Sequence, residues 1–247
     1  MFVKTRGLVL RVSNYNDTDA LITLLTENHG KLTVKARNLK RKNSPLFAPC
    51  QLLAYSEFTL FENRGFYTIN EASSIELFHS LRSDLEKLSL GTYFVQAAEV
   101  VCQEDMPNPQ LLPLVLNCLF ALSKLHLNQS LVKSVFEIRI ACLSGYTPDL
   151  SGCCYCGNTF PDRLNLSQGH MECSACAPQS NDGIRMPLQP GTLDALRYIC
   201  YCEPKKIFSF QIGEDTLRSL SQIAESYLLT QLERGFSTLD FYKTLLI

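Results

Sequence analysis

Lys31-Leu32-Thr33-Val34-Lys35-Ala36-Arg37 is the stretch that decides the first part of the fold. Lys31, Thr33, Lys35 and Arg37 fall on one face, and Leu32, Val34 and Ala36 on the other. A period of two with one apolar side is the pattern of a half-buried strand. Just upstream, Glu27-Asn28-His29-Gly30 reads as a hairpin turn in which Gly30 supplies a positive φ. That turn leads back to an apolar run over residues 20–26. The turn formers Ser13-Asn14-Tyr15-Asn16-Asp17 separate this run from a β-rich one over 7–12. Downstream, runs over 52–61 and 66–69 meet at Glu62-Asn63-Arg64-Gly65. Five short strands with no long helix between them predict a small closed barrel of the OB type. Residues 38–49 separate the third strand from the fourth. They carry Lys40-Arg41-Lys42-Asn43-Ser44-Pro45 without periodicity and read as a mobile basic loop.

From about residue 75 the period changes. Leu81, Leu85 and Leu88, then Phe94, Val95, Ala98 and Val101, recur at helical spacing. Asp105-Met106-Pro107-Asn108-Pro109 breaks the pattern. A strongly apolar helix over 111–127 follows, then one capped by Ser130 and stopped at Gly145. Residues 179–183 read as a loop, and helical character returns over 193–200, 214–233 and 236–246. The expected class is α+β, with an OB-fold domain over 1–78 and an all-helical domain over 79–247.

A four-cysteine module is inserted in that helical domain at about residues 150–180. Cys153-Cys154-Tyr155-Cys156 and Cys173-Ser174-Ala175-Cys176 are two Cys-x-x-Cys pairs with sixteen residues between them. Two thiolates three positions apart on a tight turn can face one ion, and a second such turn completes a tetrahedron. The expectation is one structural zinc per chain on Cys153, Cys156, Cys173 and Cys176. Four thiolates leave no open coordination position, so this zinc is a staple and not a catalyst. Cys154 is a bystander, because a one-residue gap to Cys156 makes a poor chelate. His170-Met171-Glu172 beside a Cys-x-x-Cys imitates a zinc-deaminase signature. There the two halves are far apart in sequence and a proline precedes the cysteine pair; here they abut and Cys173 follows Glu172.

The net charge of −1 conceals an asymmetry. Residues 1–80 carry ten Lys and Arg against seven Asp and Glu, and between Asn28 and Ser56 there are six basic residues and no acid. Lysines and arginines at alternate strand positions stand about 7 Å apart, near the spacing of phosphates along a single strand. Phosphate neutralisation gives affinity without sequence preference, and Phe47, Tyr55, Phe66 and Tyr67 are candidates to stack bases. Other chemistry is missing. No phosphate-cradling glycine motif or nucleophile elbow occurs. His29, His79, His126 and His170 are scattered, and Ser130-x-x-Lys133 is too short a match to carry a β-lactamase reading. Nothing in the sequence argues for an enzyme. The odd count of eleven cysteines, with Cys50, Cys102, Cys118 and Cys142 in apolar stretches, suits a reducing compartment. No signal-peptide core or apolar run of about 20 residues is present, so a cytoplasmic protein without membrane contact is expected.

The run of Gly7-Leu8-Val9-Leu10, residues 15–26, His29-Gly30 through Arg37 and the Lys/Arg loop resembles the bacterial recombination mediator family RecO. The paired Cys-x-x-Cys among helices and the short final helix resemble it too, so the likeness in order of parts covers essentially the whole chain. Asn38 departs from it, standing where the family usually has glycine, as does the doubled Cys153-Cys154. The resemblance implies binding of single- and double-stranded DNA, annealing of complementary strands, and loading of the recombinase RecA onto DNA covered by single-stranded-DNA-binding protein. It implies RecR and the C-terminal tail of single-stranded-DNA-binding protein as partners, RecA indirectly, and a nucleoid-associated place in the bacterial cytoplasm. Its DNA-contacting residues fall on Lys31, Lys35, Arg37, Lys40, Arg41 and Lys42, a face that carries no acid in the local sequence. Two other readings stay open. One is a zinc-ribbon scaffold that joins proteins without touching nucleic acid, marked by salt-insensitive association and no DNA retention. The other is a nucleic-acid-modifying enzyme, which would need acids in the barrel groove.

Overall fold

The computed structural model describes residues 1–104, 106–125, 127–176 and 183–246. His126 and most of the loop expected over 179–183 lie outside the described residues. Two compact units are present: Met1–His126 together with Phe236–Ile247, and Leu127–Gly235. The expected boundary at 78/79 follows the end of the barrel, whereas compact packing groups the next helices, and the segment from Phe236, with the barrel.

In the first unit, β1 (Phe2–Asn14), β2 (Ala20–Thr26), β3 (Lys31–Ala36), β4 (Tyr55–Asn63) and β5 (Phe66–Glu76) close a barrel in the order β1-β2-β3-β5-β4. This is the five-stranded OB arrangement that the alternation predicts. β1 pairs with β4 through Phe2 to Leu8 and with β2 from Gly7 onward. A bulge between Val9 and Arg11 turns it from one partner to the other. Closure is parallel and brief, with β3 meeting β5 only at Val34↔Tyr67 and Lys35↔Thr68. Leu32, Val34 and Ala36 are buried along β3 while Thr33 is exposed. They meet Ile22, Leu24, Phe58, Leu60 and Ile69 in the barrel core. β1 and β5 outrun the sequence expectation because their extra residues are mostly polar. Pairing with β4 holds them, not an apolar face.

The segment between β3 and β4 corrects the expectation of a mobile loop. It is a succession of turns in which the N–H groups of Arg41, Ser44, Phe47, Cys50 and Ala54 donate to carbonyls three or four residues back. Leu39, Leu46 and Cys50 pin it to the barrel core. The anchors stand seven and four residues apart, but Asn43, Ser44, Pro45 and Pro49 among them read as turn formers and hide that spacing.

The helices are α1 (His79–Arg82), α2 (Leu85–Val101), α3 (Leu111–Phe120), α4 (Gln129–Leu143), α5 (Pro190–Tyr201), α6 (Glu214–Gln231) and α7 (Ser237–Leu245). α3 continues as a π-helical turn, Ala121–Leu125. α2 packs on β1 and is capped by Asp84, whose carboxylate accepts from the Lys87 N–H. α7 lies against α2. Its Leu239 and Tyr242 are buried, and the Phe236 ring meets Tyr93 edge-on at 5.5 Å. Among the described residues no helix is long and apolar enough to cross a membrane.

The second unit packs α4 against α5 and α6. The cap of α4 is Asn128, whose Oδ1 accepts from the Ser130 and Leu131 N–H groups. This moves the cap two residues upstream of the expected Ser130. Lys133 is no nucleophile's partner either. Its ammonium is buried and bonded to Glu137 and, at 2.7 Å, to Glu225 of α6. Between α4 and α5 the cysteine module builds a sheet the sequence did not announce. It comprises β6 (Asp149–Cys153), β7 (Arg163–Asn165), β8 (His170–Glu172) and β9 (Arg185–Pro187), in the order β6-β8-β7-β9. Strands of three residues are too short to show alternation.

Candidate nucleic-acid interface and metal centre

The outer face of β3 is flanked by the β1–β2 loop and the β4–β5 hairpin, and Asp19 organises one side of it. Its Oδ1 accepts from the Asn38 N–H at 2.9 Å, and its Oδ2 pairs with Lys35 Nζ at 3.1 Å. The Asn16 amide also donates to it. The Asn38 N–H and then the Lys35 hydrogen bond hold this carboxyl well below the usual carboxylate range. The acid-free basic face expected from local sequence is therefore corrected. The β2–β3 register sets Ala20 opposite Ala36, which brings Asp19 beside Lys35 from sixteen residues upstream. Asn38 itself has φ 55, in the left-handed region that asparagine enters more readily than most residues. The departure from glycine is tolerated by the backbone.

The six predicted cations divide into two groups. Lys31 Nζ donates to the Glu99 carbonyl in the last turn of α2, and Lys40 Nζ donates to the Asn16 carbonyl at 2.7 Å. With Lys35 on Asp19, these three are tied to the protein. Arg37, Arg41 and Lys42 are exposed and form no ion pair among the described residues. They line a concavity of about 500 Å³ with Asn70 and Glu71 of β5. At the other end of the β3–β5 seam lies a groove of about 540 Å³ lined by Tyr15, Lys31, Thr33, Lys35, Phe66 and Tyr67, among others. Of the four aromatics noted from sequence, Phe66 and Tyr67 line that groove, while Phe47 and Tyr55 line neither concavity. The Tyr55 hydroxyl donates to Glu27.

In the second unit the Sγ atoms of Cys153, Cys156, Cys173 and Cys176 all lie within 4.8 Å of one another, an arrangement that could hold a metal ion. Each pair sits on a turn closed by a backbone bond, from Gly157 N–H to Cys153 O and from Cys176 N–H to Cys173 O. Gly157 takes φ 74, which a side chain would resist. Burial raises the Cys153 thiol, but N–H donors from Cys156, Cys173 and Tyr155 outweigh it and bring the thiol down to about 6. Cys154 is exposed and absent from the cluster. Glu172 of the deaminase-like triplet is buried and bonded to Arg185.

Comparison with known proteins gives the family. The model described as "Recombination protein O N terminal" matches residues 1–78, and "Recombination protein O C terminal" matches 82–240. The chain belongs to the RecO family. A protein named DNA repair protein RecO from Acetivibrio thermocellus is 36% identical, over 99% of this chain and 97% of that one. Proteins of the same name from Alkaliphilus metalliredigens and Bacillus subtilis are 28% and 27% identical. They cover 98% and 92% of this chain, and 99% and 88% of their own lengths.

Two members of the RecO-family face escaped the sequence reading. Tyr15 stands among turn formers and reads as one more of them, yet its ring receives Lys35 Nζ at 4.4 Å from the centroid. Asp19 is one residue before β2. Only the hairpin register, countable from the Asn28–Gly30 turn, could have placed it at Lys35.

Proposed function

We propose that this RecO-family chain binds single- and double-stranded DNA on the outer face of its barrel. It anneals complementary strands and helps load the recombinase RecA onto DNA covered by single-stranded-DNA-binding protein. The observation that carries the reading is the cluster of Arg37, Arg41 and Lys42 where β3 ends, exposed and without ion-pair partners among the described residues. Cations in that state are available to phosphates and give binding without sequence readout. Lys31, Lys35 and Lys40 extend the face, each exchanging an internal partner for a phosphate. The DNA-binding part is residues 1–78; RecR and the tail of single-stranded-DNA-binding protein are the partners, in the bacterial cytoplasm.

The four cysteines fit one structural zinc. Zn–S bonds of about 2.3 Å in a tetrahedron place sulfurs about 3.8 Å apart, and Cys156 and Cys173 Sγ are 3.9 Å apart. The metal supplies a cross-link between the two knuckles. The N–H groups around Cys153 favour the thiolate that such a bond requires.

The test is annealing of complementary oligonucleotides, bare and coated with purified single-stranded-DNA-binding protein. Acceleration in both conditions is expected. No acceleration of bare strands by a folded, DNA-retaining protein would reject the annealing reading. Association with the coat protein without DNA retention would favour a scaffold.

A further inference from the structure

The groove beside the free cations has a different chemistry from theirs. It gathers three aromatic rings, Tyr15, Phe66 and Tyr67, around two lysines, Lys31 and Lys35, with a single acid, Glu104, also on its lining. Phe66 is 79% exposed, at the first position of β5 and beside the two-residue turn Arg64-Gly65, whose φ values are 52 and 80. Paired positive φ values mark a tight hairpin turn that follows strand twist and fixes the rings it carries. Tyr67 packs partly on the barrel core, so the floor of the groove is rigid. Tyr15 approaches from the β1–β2 loop and is held by the Lys35 ammonium, which Asp19 also holds. An apolar side chain so exposed gains nothing from the fold.

We propose that this groove takes unpaired bases by stacking, with Phe66 as the platform at its mouth and Lys31 and Lys35 set for the adjoining phosphates. The inference rests on the DNA-binding reading and deepens it: the ligand class of this end of the face is single-stranded nucleic acid. In a duplex the flat faces of the bases are covered by their neighbours, and the groove then has no base face to stack. Stacking on an aromatic side chain tolerates any base. The Arg37, Arg41 and Lys42 concavity, by contrast, meets phosphates of either form. One barrel thus presents a strand-selective site and an indifferent one along the same seam.

The chain has no tryptophan, which makes the test direct. In the full-length protein, Phe66→Trp provides a single indole at the groove mouth, to be titrated with oligothymidylate and with a blunt hairpin duplex. Saturable quenching by oligothymidylate and little by the duplex are expected. In parallel, Phe66→Ala is expected to weaken oligothymidylate binding about tenfold, within the roughly 5- to 150-fold range for one stacked base. Duplex binding should stay within twofold. Phe66→Leu should behave as the alanine variant does, since it keeps apolar area and loses the π-face. Oligothymidylate binding without a change in emission, equal losses for both ligands, or full affinity in Phe66→Leu would overturn stacking and leave the DNA-binding reading standing. If the wild-type chain retains neither ligand, both readings fall.

Discussion

A single carboxylate shows how much one residue can organise. Asp19 joins the β1–β2 loop, the end of β3 and the start of the turn segment through Asn16, Lys35 and Asn38. Its folded pKa is depressed, so its stabilisation is fully present above the unfolded value of about 3.9 and is lost as pH falls through the folded one. Thermal melts of the wild type and Asp19→Asn should therefore differ at pH 7, and the gap should begin to narrow only below about pH 4. A gap of constant size from pH 5 down to pH 2 would mean the carboxylate's charge is not what holds these segments. The cysteines give a second contrast. Cys173→Ser should lose the metal, whereas Cys154→Ser should keep it, because Cys154 stands outside the cluster. Elemental analysis of both proteins decides, and equal loss would refute the ligand set. Structural zinc in peptide models contributes on the order of 10–16 kcal/mol, so loss of this module's fold should accompany loss of its metal.

Elements carry the next set of consequences. Across the line of cations that β3 begins, every group that meets a phosphate should register in the salt dependence. Each phosphate contact contributes about −0.7 to the log–log salt slope for single strands. Arg37→Ala with Arg41→Ala should flatten the slope by about 1.4. Lys35→Ala should flatten it by about 0.7, because Lys35 leaves Asp19 for the phosphate. An unchanged slope would mean Lys35 stays on Asp19. At α4, Asn128→Ala should cost about 1 kcal/mol in denaturant unfolding and Ser130→Ala much less, since Asn128 is the acceptor.

Helix and strand types were legible wherever one face is continuously apolar, as in β3. The cap was misplaced because Asn128 and Ser130 are both good capping residues and only geometry chooses between them. The clustering of the four cysteines was legible because their spacing is local. Asp19 and Tyr15 were not, because register across a hairpin, and not proximity in sequence, sets them beside Lys35. The polar ends of β1 and β5 were missed for the same reason: pairing partners, not a period, define them.

For the whole molecule, the division into two units would make the influence of a metal at the four cysteines local. Chelation should abolish amide protection in β6, β7, β8 and β9 of the second unit and leave that of β2 and β3 in the first. Hydrogen exchange read by peptide would show it. Loss of protection throughout would mean the units unfold as one. The unit boundaries also bear on the order in which the chain becomes structured during synthesis. α7 belongs to the first unit, and Phe236 closes over Tyr93 there, but the ribosome delivers it only after the entire second unit. At roughly 5–20 residues per second, the hundred or so residues between must take about 5–20 s to emerge. Through that interval α2 carries an uncovered apolar flank. The second unit, though made later, has all its parts in hand first. A released chain truncated after residue 235 should accordingly show a protease-resistant second unit and a first unit still open to cleavage near Tyr93.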